Sequence, residues 1–183
     1  MKARPDGEWE HRGETTLYTS DWVSLHLADV LLPDGTQVDH HVVRMPRPAA
    51  GTVIVADEHV LLLYRHRFIT STWGWEIPAG GVDPDETPAD AAVREALEES
   101  GWKPTSVDHL CTFHPANGLL DQAFHIYVSR DAVHVGEPVD RNEAARVEWV
   151  PIADLRAMLR DGKIGDGLSF GALTYALAVD DLT

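Results

Sequence analysis

Cysteine is almost absent from this chain of 183 residues, in which Cys111 is the only one. One cysteine cannot form an internal disulfide, and it does not fit a cysteine-based metal site. Because disulfides mark oxidising compartments and the first 14 residues lack the apolar core of a secretory signal, we expect a cytoplasmic protein. Long apolar runs are also missing. The longest is about VLLLY, which predicts a buried strand rather than a membrane span.

Positive charge is scarce as well. The chain has 15 Lys and Arg residues against 30 Asp and Glu residues, and its formal net charge is −15. This excess argues against a nucleic-acid backbone or an anionic membrane surface as the main partner. A phosphorylated small molecule remains a suitable partner, provided that a divalent cation lies between it and the protein.

The order of the predicted elements favours an α+β fold. Residues 22–32 and 36–45 predict an N-terminal β-hairpin around Pro33-Asp34-Gly35, after a loose polar segment over 1–14. A second, buried hairpin turns near Asp57. It is followed by the strands DHLCTFH, AFHIYVS and RVEWV and by the helices PIADLRAMLRDG and GALTYALAV. Strands and helices do not alternate regularly, so we expect a mixed sheet in an α/β/α sandwich.

The stretch MPRPAAG (45–51) marks a boundary in this pattern. We therefore divide the chain into an N-terminal tail and hairpin arm, residues 1–45, and a main domain, residues 46–183. The length of the chain fits one globular domain with a small addition.

An acidic helix is predicted between Thr87 and Gly101. Thr87 can cap it, Pro88 suits the first helical position, Asp90 follows the cap by three residues, and Gly101 can end it. Glu95, Glu98 and Glu99 then fall at positions i, i+3 and i+4, so their side chains converge on one face. Such a face is either simply solvated or built to bind a cation such as Mg²⁺, which prefers carboxylate and carbonyl oxygens.

Seven residues around this helix have a fixed spacing. They are Gly80, Glu86, Arg94, Glu95, Glu98, Glu99 and Gly101. The spacing resembles the Nudix box, G-x5-E-x7-R-E-U-x-E-E-x-G-U, where U is a bulky aliphatic residue. Ala96 and Trp102 depart from the pattern at two packing positions. The resemblance implies the Nudix α/β/α sandwich and an enzyme that hydrolyses a diphosphate linked to another group.

The resemblance also implies roles for residues of the box. Glu95, Glu98, Glu99 and the backbone carbonyl of Ala79 would bind Mg²⁺ or Mn²⁺. Arg94 and Glu98 would be catalytic, with Arg94 orienting the glutamates. Glu86 would brace the loop or bind metal through water.

Two further stretches resemble the ADP-ribose pyrophosphatases and related nucleotide-sugar hydrolases. They are WEIPAGGVDPDE and VLLLYRHRF, and the comparison places Arg67 and Glu76 at the substrate. Arg65 is a weaker candidate, because it falls where that subgroup usually has glutamine. The N-terminal hairpin resembles the element with which these enzymes form homodimers. Pro115 lies 13 residues past the box, closer than the proline that often marks ADP-ribose enzymes.

The loop PANGLLDQAFH resembles the subgroup's G-x-x-E loop, which supplies a general base or a further metal ligand. Gly118 matches, and Asp121 replaces the glutamate with a side chain one methylene shorter. Asp121 is therefore either a catalytic carboxylate or a residue that forms a turn. Trp73 and Trp75 are expected to pack in the core or an interface, or to stack on a nucleobase.

These resemblances imply Mg²⁺-dependent hydrolysis of ADP-ribose or a nucleotide sugar, which yields AMP or another nucleoside monophosphate and a sugar phosphate. Two alternatives stay open. One is a different Nudix substrate: a dinucleoside polyphosphate, a nucleoside triphosphate or NADH. The other is a domain that senses nucleotides without cleaving them.

Overall fold

The computed structural model describes residues 7–139, 144–179 and 182. They form two compact units. The first contains the described residues up to Pro46 together with Ala116–Gln122, and the second contains Arg47–Pro115 and the described residues from Ala123 onward. The division after residue 46 lies one residue beyond the proposed boundary. The segment Ala116–Gln122 belongs to the first unit, whereas the proposed division assigns it to the main domain.

The first unit is a three-stranded antiparallel sheet with β2 in the middle. Its strands are β1 (Glu10–Thr19), β2 (Ser24–Leu31) and β3 (Gln37–Arg44). At the β2–β3 turn, the Asp34 carboxylate accepts a hydrogen bond from Thr36 N at 2.8 Å, and Gly35 has a φ of 87°. The predicted hairpin is confirmed. The prediction of a loose segment is wrong for residues 10–14, because they belong to β1.

The second unit is built on a mixed seven-stranded sheet. In chain order the further strands are β4 (Ala49–Ala56), β5 (His59–Arg67), β6 (Thr72–Glu76), β7 (Ala79–Gly81), β8 (Trp102–Pro104), β9 (Asp108–Phe113), β10 (Phe124–Ser129), β11 (Ala132–His134) and β12 (Arg146–Pro151). The sheet runs β12-β5-β4-β10-β9, with β6 paired to β5 and β7 paired to β4. Strands β4 and β10 are parallel, and the other pairs are antiparallel. Strands β8 and β11 form a separate two-stranded ribbon.

Helices cover both faces of this sheet, which confirms the predicted sandwich. They are α1 (Pro88–Ser100), α2 (Ile152–Arg160) and α3 (Gly167–Val179). Strand β4 is buried on both faces, and its side chains alternate between them. Ile54 packs with Ala96 of α1, whereas Val53 belongs to the large cluster that contains Leu155 of α2 and Leu173 of α3.

The predicted strands and helices of this unit are confirmed, and the buried hairpin turns at Asp57 and Glu58, as expected, with φ values of 48° and 62°. Two differences remain. Helix α3 begins at Gly167, four residues before its predicted start at Gly171. The short strands β6, β7, β8 and β11 were not predicted.

Candidate active site

Helix α1 begins and ends where the sequence predicts. Thr87 and Asp90 form a reciprocal capping box, in which each side chain accepts a hydrogen bond from the other residue's backbone N–H, and Pro88 is the first helical residue. At the other end Gly101 adopts the left-handed conformation, with φ of 75°, and its N–H donates to the Leu97 carbonyl. Both ends of the acidic helix are therefore fixed by local contacts.

Arg94 joins three of the acidic side chains. Its Nη1 donates to Glu95 at 2.7 Å and to Glu98 at 3.0 Å, and its Nε and Nη2 donate to Glu86 at 3.1 and 2.6 Å. Nη2 also donates to the Gly81 carbonyl at 2.9 Å. The hydrogen bonds from Arg94 lower the pKa of Glu86, and Glu86 is in turn the main cause of the raised pKa of Arg94. One guanidinium thus holds the loop and the helix together.

Gly80 makes room for the Glu95 carboxylate. A Cβ atom built on Gly80 would overlap the carboxylate carbon and both carboxylate oxygens of Glu95. The Glu95 side chain is only 15% exposed. The glycine of the box therefore fixes where this carboxylate lies.

Glu99 lies deeper than the other glutamates of α1 and is 3% exposed. Its Oε2 accepts a hydrogen bond from Ala79 N at 2.9 Å, and its Oε1 lies 2.9 Å from Arg65 Nη2. Sequence reasoning ranked Arg65 low. Its position in β5 on the same face as buried Leu61 and Leu63 is the signal that could have placed it against α1.

Glu76 is buried between two arginines of β5. Arg67 donates to it through Nε at 3.0 Å and through Nη2 at 2.5 Å, and Arg65 Nε lies 3.6 Å from it. The Glu76 hydrogen bonds raise the pKa of Arg67, whose side chain is half exposed. The structure therefore brings together the two residues predicted to meet substrate, Arg67 and Glu76.

Asp121 lies in the first unit, and its carboxylate is engaged there. Arg44 Nη1 donates to Oδ2 at 3.2 Å, and Met45 N donates to Oδ1 at 2.9 Å. Its neighbour Gly118 accepts a hydrogen bond from His40 Nε2 at 2.9 Å. These contacts favour the interpretation of Asp121 as a structural residue of its loop.

The two tryptophans of β6 lie on the opposite face of the sheet from Glu76. The Tyr64 ring is 5.2 Å from the Trp73 ring and 5.0 Å from the Trp75 ring, and the Arg146 guanidinium lies over Tyr64 at 4.5 Å. Trp75 packs against the core formed with α2 and α3. These contacts favour the packing interpretation of Trp75, whereas Trp73 stacks on Tyr64 and is 53% exposed.

The site offers the type of donor atom that a hard divalent cation binds, namely carboxylate oxygens beside a loop of backbone carbonyls. Among the described residues, however, no group of three or more His, Cys, Asp or Glu side chains is arranged to hold a metal ion. Arg94 holds Glu95 and Glu98, while Ala79 N and Arg65 hold Glu99. Side-chain rotation would be needed to gather the carboxylates, and Glu98, at 44% exposure, is the most accessible of the three.

A cavity of about 380 Å³ opens at the C-terminal end of α1. The described residues that line it include Glu99, Trp102, His134, Glu137 and Arg146. The Trp102 ring lies 5.0 Å from the His134 ring. The cavity therefore combines aromatic surface, a cation and a carboxylate of the box.

Comparison with known proteins identifies the family. The NUDIX domain profile matches residues 45–167. A CMP-5′-(N-acetyl-N-hydroxy-3-aminopropyl)phosphonate hydrolase of Streptomyces rubellomurinus is 42% identical over 168 residues, which cover 90% of this chain and 81% of the relative. An ADP-ribose pyrophosphatase of Mycobacterium tuberculosis is 28% identical over 177 residues, which cover 93% and 86%.

A solved structure supports the same fold. The crystal structure of an ADP compounds hydrolase superposes with a TM-score of 0.84 at 20% identity and covers 96% of each chain. The chain belongs to the Nudix family and is a Nudix hydrolase. In the described part of the chain, every helix is too short or too polar to cross a membrane.

Proposed function

We propose that this chain hydrolyses the P–O–P linkage that joins a nucleoside 5′-monophosphate to a second phosphorus-bearing group. One water molecule is consumed and the P–O–P bridge is broken, so that a nucleoside monophosphate and the second phosphoryl or phosphonyl compound are released. The observation that carries the proposal is the cluster in which Arg94 holds Glu86, Glu95 and Glu98 beside the buried Glu99.

The proposed cofactor is Mg²⁺ or Mn²⁺, held by Glu95, Glu98, Glu99 and the Ala79 carbonyl. When bound, the ion neutralises phosphoryl oxygens and lowers the pKa of a water molecule. A chain with a net charge of −15 would otherwise repel such a substrate. Arg94 orients the carboxylates, and Glu98 is the proposed catalytic carboxylate because it is the most exposed.

Arg67 is the proposed contact for a substrate phosphate. Glu76 holds its Nε and Nη2 in a two-point ion pair, so the guanidinium plane is fixed while about half of the side chain remains exposed. A planar guanidinium suits phosphate oxygens. The cavity lined by Trp102, His134 and Arg146 is the proposed place for the rest of the substrate.

Two substrates are favoured by specific relatives. The relative at 42% identity acts, by its name, on a phosphonate joined to CMP, and its similarity covers 90% of this chain. ADP-ribose, the substrate expected from the sequence motifs, is supported by the relative at 28% identity. We place the CMP-linked phosphonate first because its relative is closer, and ADP-ribose second.

Product analysis tests this proposal. The protein would be incubated with Mg²⁺ and each of the two substrates, nucleotide sugars, NADH, dinucleoside polyphosphates and nucleoside triphosphates, and products would be identified by chromatography and ³¹P NMR. We expect CMP or AMP from the first two compounds and no release in EDTA. Binding without turnover of any compound would favour the non-catalytic alternative.

A matched pair of substitutions identifies the site. Glu98 and Asp161 are 44% and 52% exposed, and each lies beside an arginine, at 3.0 Å and 3.6 Å. We expect Glu98→Gln to lower kcat by about 100-fold or more, whereas Asp161→Asn should leave it unchanged. Equal rates for the two variants would contradict the placement of the site.

The predicted homodimer and cytoplasmic location belong to this proposal as well. A nucleotide substrate and a single cysteine suit a reducing, nucleotide-rich compartment. The exposed apolar side chains of the first unit support self-association.

A further inference from the structure

Arg65 is an arginine in the interior of the second unit. It is 3% exposed, and two carboxylates equally removed from solvent surround its guanidinium: Glu99 at 2.9 Å from Nη2 and Glu76 at 3.6 Å from Nε. Burying a charge is costly unless an opposite charge lies beside it. The three side chains therefore depend on one another.

The charges around α1 separate into two groups. Arg65, Arg67, Glu76 and Glu99 carry two positive and two negative charges and are neutral together. Arg94 with Glu86, Glu95 and Glu98 carries one positive and three negative charges, a net charge of −2. The second group matches the charge of one divalent ion, whereas the charge of Glu99 is already balanced inside the protein.

We propose that Arg65 is the internal counter-ion of Glu99 and competes with the divalent cation for this carboxylate. Arg65 and Ala79 N lie at the two oxygens of Glu99, each at 2.9 Å. A cation bound at Oε1 of Glu99 would compete with its ion pair to Arg65, and Arg65 would retain Glu76. Arg65 thus stabilises the metal-free fold and weakens divalent binding. The inference rests on the metal site of the proposed function.

Arg65→Gln tests the competition by metal binding rather than by turnover. We expect the Kd for Mn²⁺, measured by calorimetry or by the EPR signal of free Mn²⁺, to fall about tenfold or more, because a positive charge beside the ion is removed. The Tm of the metal-free variant should fall by roughly 10 °C, because Glu99 is left buried without its partner. Saturating Mn²⁺ should restore most of that loss.

Arg156→Gln is the matched control. Arg156 is exposed on α2 and donates to the Leu177 carbonyl at 3.4 Å. We expect its substitution to change neither the Kd for Mn²⁺ nor the metal-free Tm by more than a small amount.

A measurement on the unsubstituted protein covers the case in which Arg65→Gln does not fold. The ¹⁵N–¹H signal of the Arg65 Nε group, assigned by its loss in Arg65→Lys, should move as Mg²⁺ is added and stop moving when the site is full. Either of two results would overturn this inference while leaving the proposed metal site intact. One is an Arg65 signal that does not move at saturating Mg²⁺. The other is a folded Arg65→Gln variant that binds Mn²⁺ with the same affinity as the unsubstituted protein. Failure of the unsubstituted protein to bind Mn²⁺ would overturn the proposed metal site, and the inference with it.

Discussion

At the scale of single residues, Gly80 reserves the space that the Glu95 carboxylate occupies. We predict that Gly80→Ala displaces this carboxylate, because the overlap falls on the end of a flexible side chain. The Mg²⁺-dependent rate should therefore fall at least about tenfold while the Tm changes little. Steady-state kinetics and thermal unfolding check this. Gly167→Ala, at a glycine with open space around its Cβ position, is the control. An unchanged rate for Gly80→Ala would contradict the role of Glu95.

Glu86 gives a prediction about pH. The hydrogen bonds from Arg94 lower the pKa of Glu86 below its ordinary value of 4.5. A lowered folded pKa means that the stabilisation is present above the unfolded pKa and is lost as the pH falls through the folded pKa. Urea unfolding should show Glu86→Gln less stable than the unsubstituted protein at pH 7. The difference should shrink at acid pH. A difference that stays constant down to about pH 3 would contradict this electrostatic role.

Residues that meet within one element were easier to predict than residues that meet across the fold. Glu95, Glu98 and Glu99 share a helix face because of their spacing alone, and Arg94 is their neighbour in sequence. Arg65 and Glu99 come from a strand and a helix 34 positions apart. Their contact depends on how α1 packs on β5, which no local pattern specifies. The contact of Arg94 with Glu98 follows from their spacing, whereas the contact of Arg65 with Glu99 could not be predicted for this reason.

At the scale of elements, Gly101 connects the end of α1 to the segment that follows β11. It has a left-handed φ of 75°, and a Cβ on it would overlap the backbone carbonyl of Gly136. Gly162, after α2, has a similar φ of 70° with nothing near its Cβ position. We predict that Gly101→Ala lowers the free energy of unfolding by clearly more than the roughly 1–2 kcal/mol expected for Gly162→Ala. Equal losses of unfolding free energy for the two variants, measured by urea unfolding, would show that the contact with Gly136 does not affect stability.

Two causes account for most of the strands that could not be predicted from the sequence. Nearly all side chains of β1 are exposed, so the strand has no alternating apolar pattern and is held by pairing with β2. Strands β7, β8 and β11 are three residues long, too short for a periodic signal. By contrast, α1 was predicted to the residue because its capping box, first-turn proline and terminal glycine are local signals.

At the scale of the whole molecule, the first unit exposes large apolar side chains, including Leu17, Tyr18 and Trp22. We predict a homodimer of about 40 kDa, twice the chain mass of 20.2 kDa, in light scattering coupled to size exclusion. Replacing Leu17 and Tyr18 by glutamate should yield the monomer, because like charges would be brought into an apolar contact. Val133→Glu, at a similarly exposed position in β11, should leave the dimer intact. A mass of about 20 kDa for the unsubstituted protein would contradict the prediction.

The net charge of −15 makes divalent cations central to the proposed reaction. The described carboxylates of the box are balanced by Arg65 and Arg94 only in part, and an anionic substrate adds to the excess. A bound divalent ion would offset both.

The most direct test is therefore the rate of nucleoside monophosphate release from the CMP-linked phosphonate and from ADP-ribose as Mg²⁺ is titrated. We predict release that rises to saturation with Mg²⁺, stops in EDTA and falls about 100-fold or more in Glu98→Gln but not in Asp161→Asn. Release that is independent of Mg²⁺, or equal in the two variants, would contradict the central claim that these glutamates form a metal-dependent hydrolytic site.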